Sequence, residues 1–193
     1  MNAIYLGVFW MLYYALHSAL AAEPAKRFFK TVFPAVYPHY RAMYSVIAVV
    51  NFVLLGALHF RASSPDVFET GYLLQTLGLV FGFAGAVILV AAIKQYGASF
   101  LVVSEEYTED DEPRLVTTGL NAYVRHPLYF GILLLTVFLV LFMPSEKNIA
   151  FSVITAIYIF LGSLHEEQRL IAQYGNAYKE YRKRVKMLIP YVF

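Results

Sequence analysis

Cysteine is absent from this 193-residue chain, which excludes a disulfide framework, a thiolate metal site and a thiolate nucleophile. Charge is scarce as well. Asp, Glu, Lys and Arg make up 15% of the residues, hydrophobic residues make up 60%, and the mean hydropathy is +0.58. A soluble domain carries about 25% charged residues. The composition therefore excludes a disordered chain, a collagen-like fibre and a water-soluble globule, and leaves an integral membrane protein. A net charge of +2 is too small to suggest a nucleic-acid partner. No series of intramembrane carboxylates runs through the apolar stretches, so a proton pump or ion channel is poorly supported. Internal symmetry is weak, which argues against a repeat-built transporter.

What the chain does have is apolar runs. A helix needs about 20 mostly apolar residues to cross a hydrocarbon core roughly 30 Å thick. Five candidates meet or approach that length, at residues 3–22, 42–60, 72–93, 128–143 and 149–164. The last two are short and are separated only by residues 144–148. They read as a tight helical hairpin whose ends extend beyond the apolar core, the alternative being segments that dip in without crossing. The first run resembles a signal peptide at Ala19-Leu20-Ala21, but no basic residue precedes it and it is too long. The expected fold is all-α and polytopic, with about five transmembrane helices and a cytosolic amphipathic C-terminal helix. It reads as a single membrane domain over 1–193, with a three-helix part at 1–96 and the loop, hairpin and tail at 97–193.

Lysine and arginine set the orientation. Lys26, Arg27, Lys30 and Arg41 lie in the first connection, and Lys94, Arg114 and Arg125 in the third. Arg169, Lys179, Arg182, Lys183, Arg184 and Lys186 lie in the tail, while the other side holds only Arg61 and Lys147. Thirteen against two places the N-terminus outside and the C-terminus in the cytosol. Polar chemistry is then expected at the cytosolic membrane surface, built from the third connection and the tail.

Within the spans, Gly78 and Gly82 have small-xxx-small spacing and, with Gly85, predict close helix packing. His17 and Ser18 lie near the cytosolic end of the first span. An intramembrane histidine is a functional candidate, although a structural hydrogen bond to the 40–44 region is favoured here. Asn51 and Gln75 read as interhelical hydrogen-bond partners.

The third connection begins with an acidic run, Glu105 to Glu112, that reads as a solvated loop and matches no calcium-binding pattern. No metal is called for. Residues 117–131, TTGLNAYVRHPLYFG, are more informative. Arg125 and His126 stand directly before a helix that starts with Pro127 at a favoured first position. A helix N-terminus offers unpaired N–H groups and partial positive charge, so this corner suits an anion. The competing reading is a positive-inside anchor with a snorkelling arginine.

Beyond residue 164, Leu170, Ile171, Tyr174, Tyr178, Tyr181, Val185 and Leu188 recur at spacings of three and four, which predicts an amphipathic helix closed by Pro190 and open to a kink at Gly175. Its basic residues suit anionic membrane lipids. Glu167 falls on the apolar stripe, where an unpaired charge costs several kcal/mol. The Glu166-Glu167 pair is therefore expected to close against the Arg-His-Pro corner and form a pocket with anionic, cationic and tyrosine walls. A zwitterionic sulfonium compound would suit such a pocket, since aromatic faces attract cations.

The paired motifs, Gly119 to Gly131 and then Glu166-Glu167, Leu170, Tyr174-Gly175, Tyr178 and Tyr181, resemble the integral-membrane methyltransferases of the isoprenylcysteine carboxyl methyltransferase and phospholipid methyltransferase group. The resemblance covers about residues 94–190, and the N-terminal half is similar to bacterial members. It implies S-adenosylmethionine as cofactor, S-adenosylhomocysteine as product, and a lipophilic small molecule or lipid as acceptor in the plasma (inner) membrane. It also implies that Asn121, Ala122, Tyr123, Val124, His126, Tyr129 and Glu166 line the cofactor, joined by Glu167 and Tyr178. Arg125 and Glu166 are the implied catalytic pair, with Arg125 supporting the pocket or facing the acceptor. One departure stands out. Where the isoprenylcysteine enzymes place an arginine one turn before the Glu pair, this chain has Gly162 and then Ser163. A prenylated cysteine carboxylate is thereby a doubtful acceptor, and a thiol, amine, carboxylate or lipid headgroup remains open. Competing readings are an NADPH-dependent sterol-type reductase and a non-catalytic transport or assembly protein.

Overall fold

The computed structural model describes residues 2–97 and 115–193; the acidic run of the third connection lies outside the described residues. Helix α1, Ala3–Ala21, starts where the Asn2 side chain accepts the Ile4 N–H at 3.1 Å. The backbone turns through extended Ala22 into α2, Glu23–Val32, with Pro24 in its first turn. A short 3-10 turn, Tyr37–His39, leads into α3, Tyr40–Arg61, followed by α4, Tyr72–Tyr96. A second such turn, Gly119–Ala122, precedes α5, Pro127–Phe142. Then come α6, Glu146–Tyr174, and α7, Asn176–Arg184.

Helices α1, α3, α4 and α6 are long and apolar enough to cross a membrane. The expected extension of both hairpin helices holds for α6, with 29 residues, but not for α5, with 16. At about 1.5 Å per residue α5 rises roughly 24 Å. Pro127 fixes its start and Pro144 follows its end, so it cannot lengthen.

The tail also departs from expectation. The fifth span does not end near residue 164, because nothing between His165 and Tyr174 interrupts a helical backbone, and α6 continues through the Glu pair. It stops at Gly175, whose φ of +56° favours glycine. Helix α7 ends at Arg184, well before Pro190. The following residues instead pair with the third connection, where Arg125 N–H donates to Lys186 O at 2.8 Å and His126 N–H to Met187 O at 3.1 Å.

The two halves of the chain meet along α4 and α5. A Cβ on Gly82 would lie 2.9 Å from the Phe138 ring, and one on Gly85 only 2.8 Å from Gly131 O. Backbones this close explain the small residues. Gly85→Leu would push against main chain, which cannot rotate away. A loss of about 1–3 kcal/mol is expected, as for overpacked cores, and thermal unfolding in detergent micelles would measure it.

At the end of the bundle away from the tail, Trp10 Nε1–H donates to His59 Nδ1 at 3.1 Å. That leaves the His59 proton on Nε2, which donates to Asn148 Oδ1 at 2.8 Å. Asn148 Nδ2 then donates to Met143 O at 2.7 Å. This chain ties α1, α3 and α6 together through buried polar groups. Other polar residues sit differently from expectation. Asn51 donates to Ile47 O in its own helix, and Gln75 to Thr70 just before its helix, because each finds a local acceptor first. His17 stacks on Tyr13, and its Nδ1 makes no hydrogen bond; Tyr40 donates to Leu20 O instead.

Candidate active site

Two adjacent carboxylates at the tail end of α6 have opposite surroundings. Successive helix residues are about 100° apart, so only one of the pair can face inward. The Glu167 side chain is 4% exposed and that of Glu166 is 34% exposed. Arg125 grips Glu167 bidentately, Nε to Oε1 at 2.8 Å and Nη2 to Oε2 at 3.0 Å. His126 Nε2–H donates to Oε1 at 3.1 Å and the Tyr178 hydroxyl to the same oxygen at 2.5 Å. Arg182 Nε completes the set, 2.9 Å from Oε2. Five donors from two chain segments, the loop before α5 and helix α7, thus converge on one buried carboxylate, which satisfies a charge that would be prohibitive alone. Burial, then the bond to Glu167, pushes the Tyr178 pKa well above the usual tyrosine range, so the hydroxyl stays a proton donor at any physiological pH.

The loop that carries Arg125 is itself held from two sides. Gln95 at the end of α4 accepts the Leu120 N–H at 2.9 Å and donates to Asn121 Oδ1 at 2.7 Å. Tyr96 donates to the same oxygen at 3.0 Å. Asn121 Nδ2 donates to Arg125 O at 3.0 Å, and Tyr181 donates to Asn121 O at 2.6 Å. Burial pushes the Tyr181 pKa up to about 12, so this donor too keeps its proton. Gly119 has a φ of +62° and lies against the Gln95 side chain, a position with no room for a Cβ. From the tail, Arg125 Nη1 donates to Val185 O.

Between these segments lies a cavity of about 290 Å³. Glu166, His126 and Tyr129 line it, together with Asn121, Arg125 and Tyr178. Pro127 and Leu128 bring in the N-terminus of α5, whose first N–H groups lack a helical partner. His126 Nδ1 stands 3.6 Å from Glu166 Oε2, and the Tyr129 hydroxyl interacts with the same carboxylate. The structure thus brings the Arg-His-Pro corner and the Glu pair together. Ala122 and Tyr123 face outward, Val124 is buried in a backbone bridge to Lys186, and Glu167 stands behind the wall; none of these four lines the cavity. The sequence singles out neither Gln95 nor Tyr96, and Arg182 only as one of the basic residues of the tail. The available signal for the first two was polarity in the last turn of an otherwise apolar span.

The geometry has a counterpart in known proteins. The profile of the Isoprenylcysteine carboxyl methyltransferase (ICMT) family matches residues 76–173, just over half of the chain. Methanethiol S-methyltransferase 1 of Bradyrhizobium diazoefficiens is 28% identical over 98% of this chain and 68% of its own length. Methanethiol S-methyltransferase of Pseudomonas deceptionensis is 28% identical over 93% of this chain and 69% of its own. Protein-S-isoprenylcysteine O-methyltransferase of Schizosaccharomyces pombe is 31% identical over 61% of this chain and 50% of its own. No solved structure matches the chain. The matched stretch runs from α4 through both motif segments, and the chain is a multi-pass membrane methyltransferase belonging to the isoprenylcysteine carboxyl methyltransferase family.

Proposed function

We propose that this enzyme transfers a methyl group from S-adenosylmethionine to a small lipophilic thiol at the cytosolic face of the plasma membrane, leaving S-adenosylhomocysteine. The observation that carries the reading is the half-open Glu166 carboxylate, which faces the cavity beside His126 and the start of α5 while Glu167 is fully engaged behind it. That donor set fits a ligand with an ammonium, a carboxylate and a sulfonium. Glu166 would hold the ammonium. The Leu128 and Tyr129 N–H groups at the first turn of α5 would hold the carboxylate. Tyrosine rings in the wall would favour the sulfonium.

When bound, the donor supplies an electrophilic methyl carbon. The protein then has little acid–base work to do if the acceptor arrives as a nucleophile. Its contribution is orientation, which supplies up to about 7–11 kcal/mol of a barrier, together with exclusion of water. In this reading Arg125 is a positioning residue. Held by Glu167 and Val185 O, it fixes the backbone that presents His126 and Tyr129.

Two observations support a thiol over a prenylated cysteine carboxylate. Four relatives that match 93–100% of the chain carry S-methyltransferase names, whereas three with O-methyltransferase names match 59–76% of it. One turn before the Glu pair there is no cation to meet a substrate carboxylate. Gly162 stands in open space, and the buried Ser163 hydroxyl donates to Ile159 O in its own helix. Orientation with the N-terminus outside follows the charge asymmetry of the loops.

Isothermal titration of the purified protein with S-adenosylhomocysteine and with NADPH tests the reading, alongside methylation of methanethiol and longer alkanethiols. Binding of S-adenosylhomocysteine alone and formation of a methyl thioether are expected. Binding of NADPH without S-adenosylhomocysteine would overturn it.

A further inference from the structure

Helix α2 is the one α-helix among those described that has no buried residue. It begins two residues after the end of α1, a helix long and apolar enough to cross a membrane. At 3.6 residues per turn, Lys26, Arg27 and Lys30 share one side, and Ala25, Phe28, Phe29 and Val32 share the other. The two sides have different fates. Phe29 packs on Tyr40 at 4.6 Å between ring centres, and Tyr40 in turn bonds to Leu20 O, so the helix is docked. Phe28 and Val32 remain 55% and 49% exposed on the apolar side, with Phe33 beyond them at 47%. On its basic side α2 itself carries one carboxylate, Glu23, 2.8 Å from Lys26. Arg169 of α6 lies close enough to act on Glu23, and its neighbour Leu170 lines the cavity.

We propose that α2 is an in-plane anchor that recognises anionic phospholipid. Its apolar side enters the headgroup–acyl boundary while Lys26, Arg27 and Lys30 meet phosphate-bearing headgroups of net negative charge. A helix with an exposed aromatic side and an opposite cationic side has this preference by construction. Three cations against one carboxylate give it the charge to select anionic over zwitterionic lipid. Arg169, whose charge acts on Glu23, stands next to Leu170 of the cavity wall, so the anchor lies on the cavity's side of the bundle.

The absence of cysteine makes the test clean, because Val32→Cys creates a single labelling position. The full-length protein, labelled there with an environment-sensitive fluorophore, is placed in nanodiscs that mix phosphatidylcholine and phosphatidylglycerol, with one lipid brominated at a time. Blue-shifted emission is expected, with quenching that reports a local excess of brominated phosphatidylglycerol of roughly fivefold. In the triple variant Lys26→Gln, Arg27→Gln, Lys30→Gln the emission should stay blue while the excess falls to near parity. Water-like emission would overturn the anchor, equal quenching by both lipids would overturn the anionic selectivity, and an excess surviving in the triple variant would overturn the assignment to these cations. None of these readouts depends on methyl transfer.

Discussion

Glu167→Gln is expected to be the most damaging single substitution in the half of the bundle that carries the tail. The change keeps shape and removes one negative charge. Arg125 and Arg182 would then face a neutral amide, and one amide cannot accept from Arg125, His126, Tyr178 and Arg182 with two ionised oxygens' strength. Breaking a buried ion pair from one side costs about 3–5 kcal/mol, because the remaining charge keeps its desolvation penalty. The loss would reach beyond stability. Glu167 joins the loop through Arg125 and His126 to α7 through Tyr178 and Arg182, so the same substitution loosens both walls of the cavity. Thermal unfolding in micelles should show a clear drop, and S-adenosylhomocysteine affinity should fall with it. Tyr178→Phe removes one donor from the same carboxylate and should cost about 1.5–3 kcal/mol, the range for a hydrogen bond to a charged group. A Glu167→Gln protein as stable as the parent would mean that the arginines find other partners.

This buried cluster was partly legible in the sequence. A carboxylate on an apolar stripe must be paired, and Arg125 and His126 were the cations named for it. Arg182 was not, because a kink allowed at Gly175 does not by itself say in which direction the rest of the tail runs. The break at Gly175 redirects α7 and returns Arg182 to Glu167. The apolar spans were legible because hydropathy reports burial in lipid directly. The continuation of α6 past residue 164 was not, because hydropathy marks where a helix leaves the membrane and not where its backbone ends. Helix α2 went unread for a related reason. Ten residues with alternating cations and phenylalanines have too little apolar length for a span, and only their placement beside α1 and Tyr40 shows them as a helix. Gln95 and Asn121 illustrate a further limit. Their mutual hydrogen bond spans 26 residues, part of them outside the described structure, and no local pattern announces it.

Glu166→Gln should behave as the converse of its neighbour. Its carboxylate is 34% exposed, and its contacts are His126 at 3.6 Å and the Tyr129 hydroxyl, so little of the fold depends on it. Unfolding temperature should stay close to that of the parent, since surface-type substitutions outside a buried network usually change stability by about 0.5 kcal/mol or less. Ligand affinity is where the cost should fall. If Glu166 holds the ammonium of the methyl donor, neutralising it replaces a charge-assisted bond in a partly enclosed cavity with a weaker one. A decrease of roughly 10- to 100-fold in S-adenosylhomocysteine affinity follows from about 1.5–3 kcal/mol for a hydrogen bond to a charged group. The opposed pattern of the two adjacent variants, one losing the fold and the other losing the ligand, separates this arrangement from a merely structural acidic pair. In that case both substitutions would change stability alone, and titration of the folded Glu166→Gln protein would return the parent's dissociation constant.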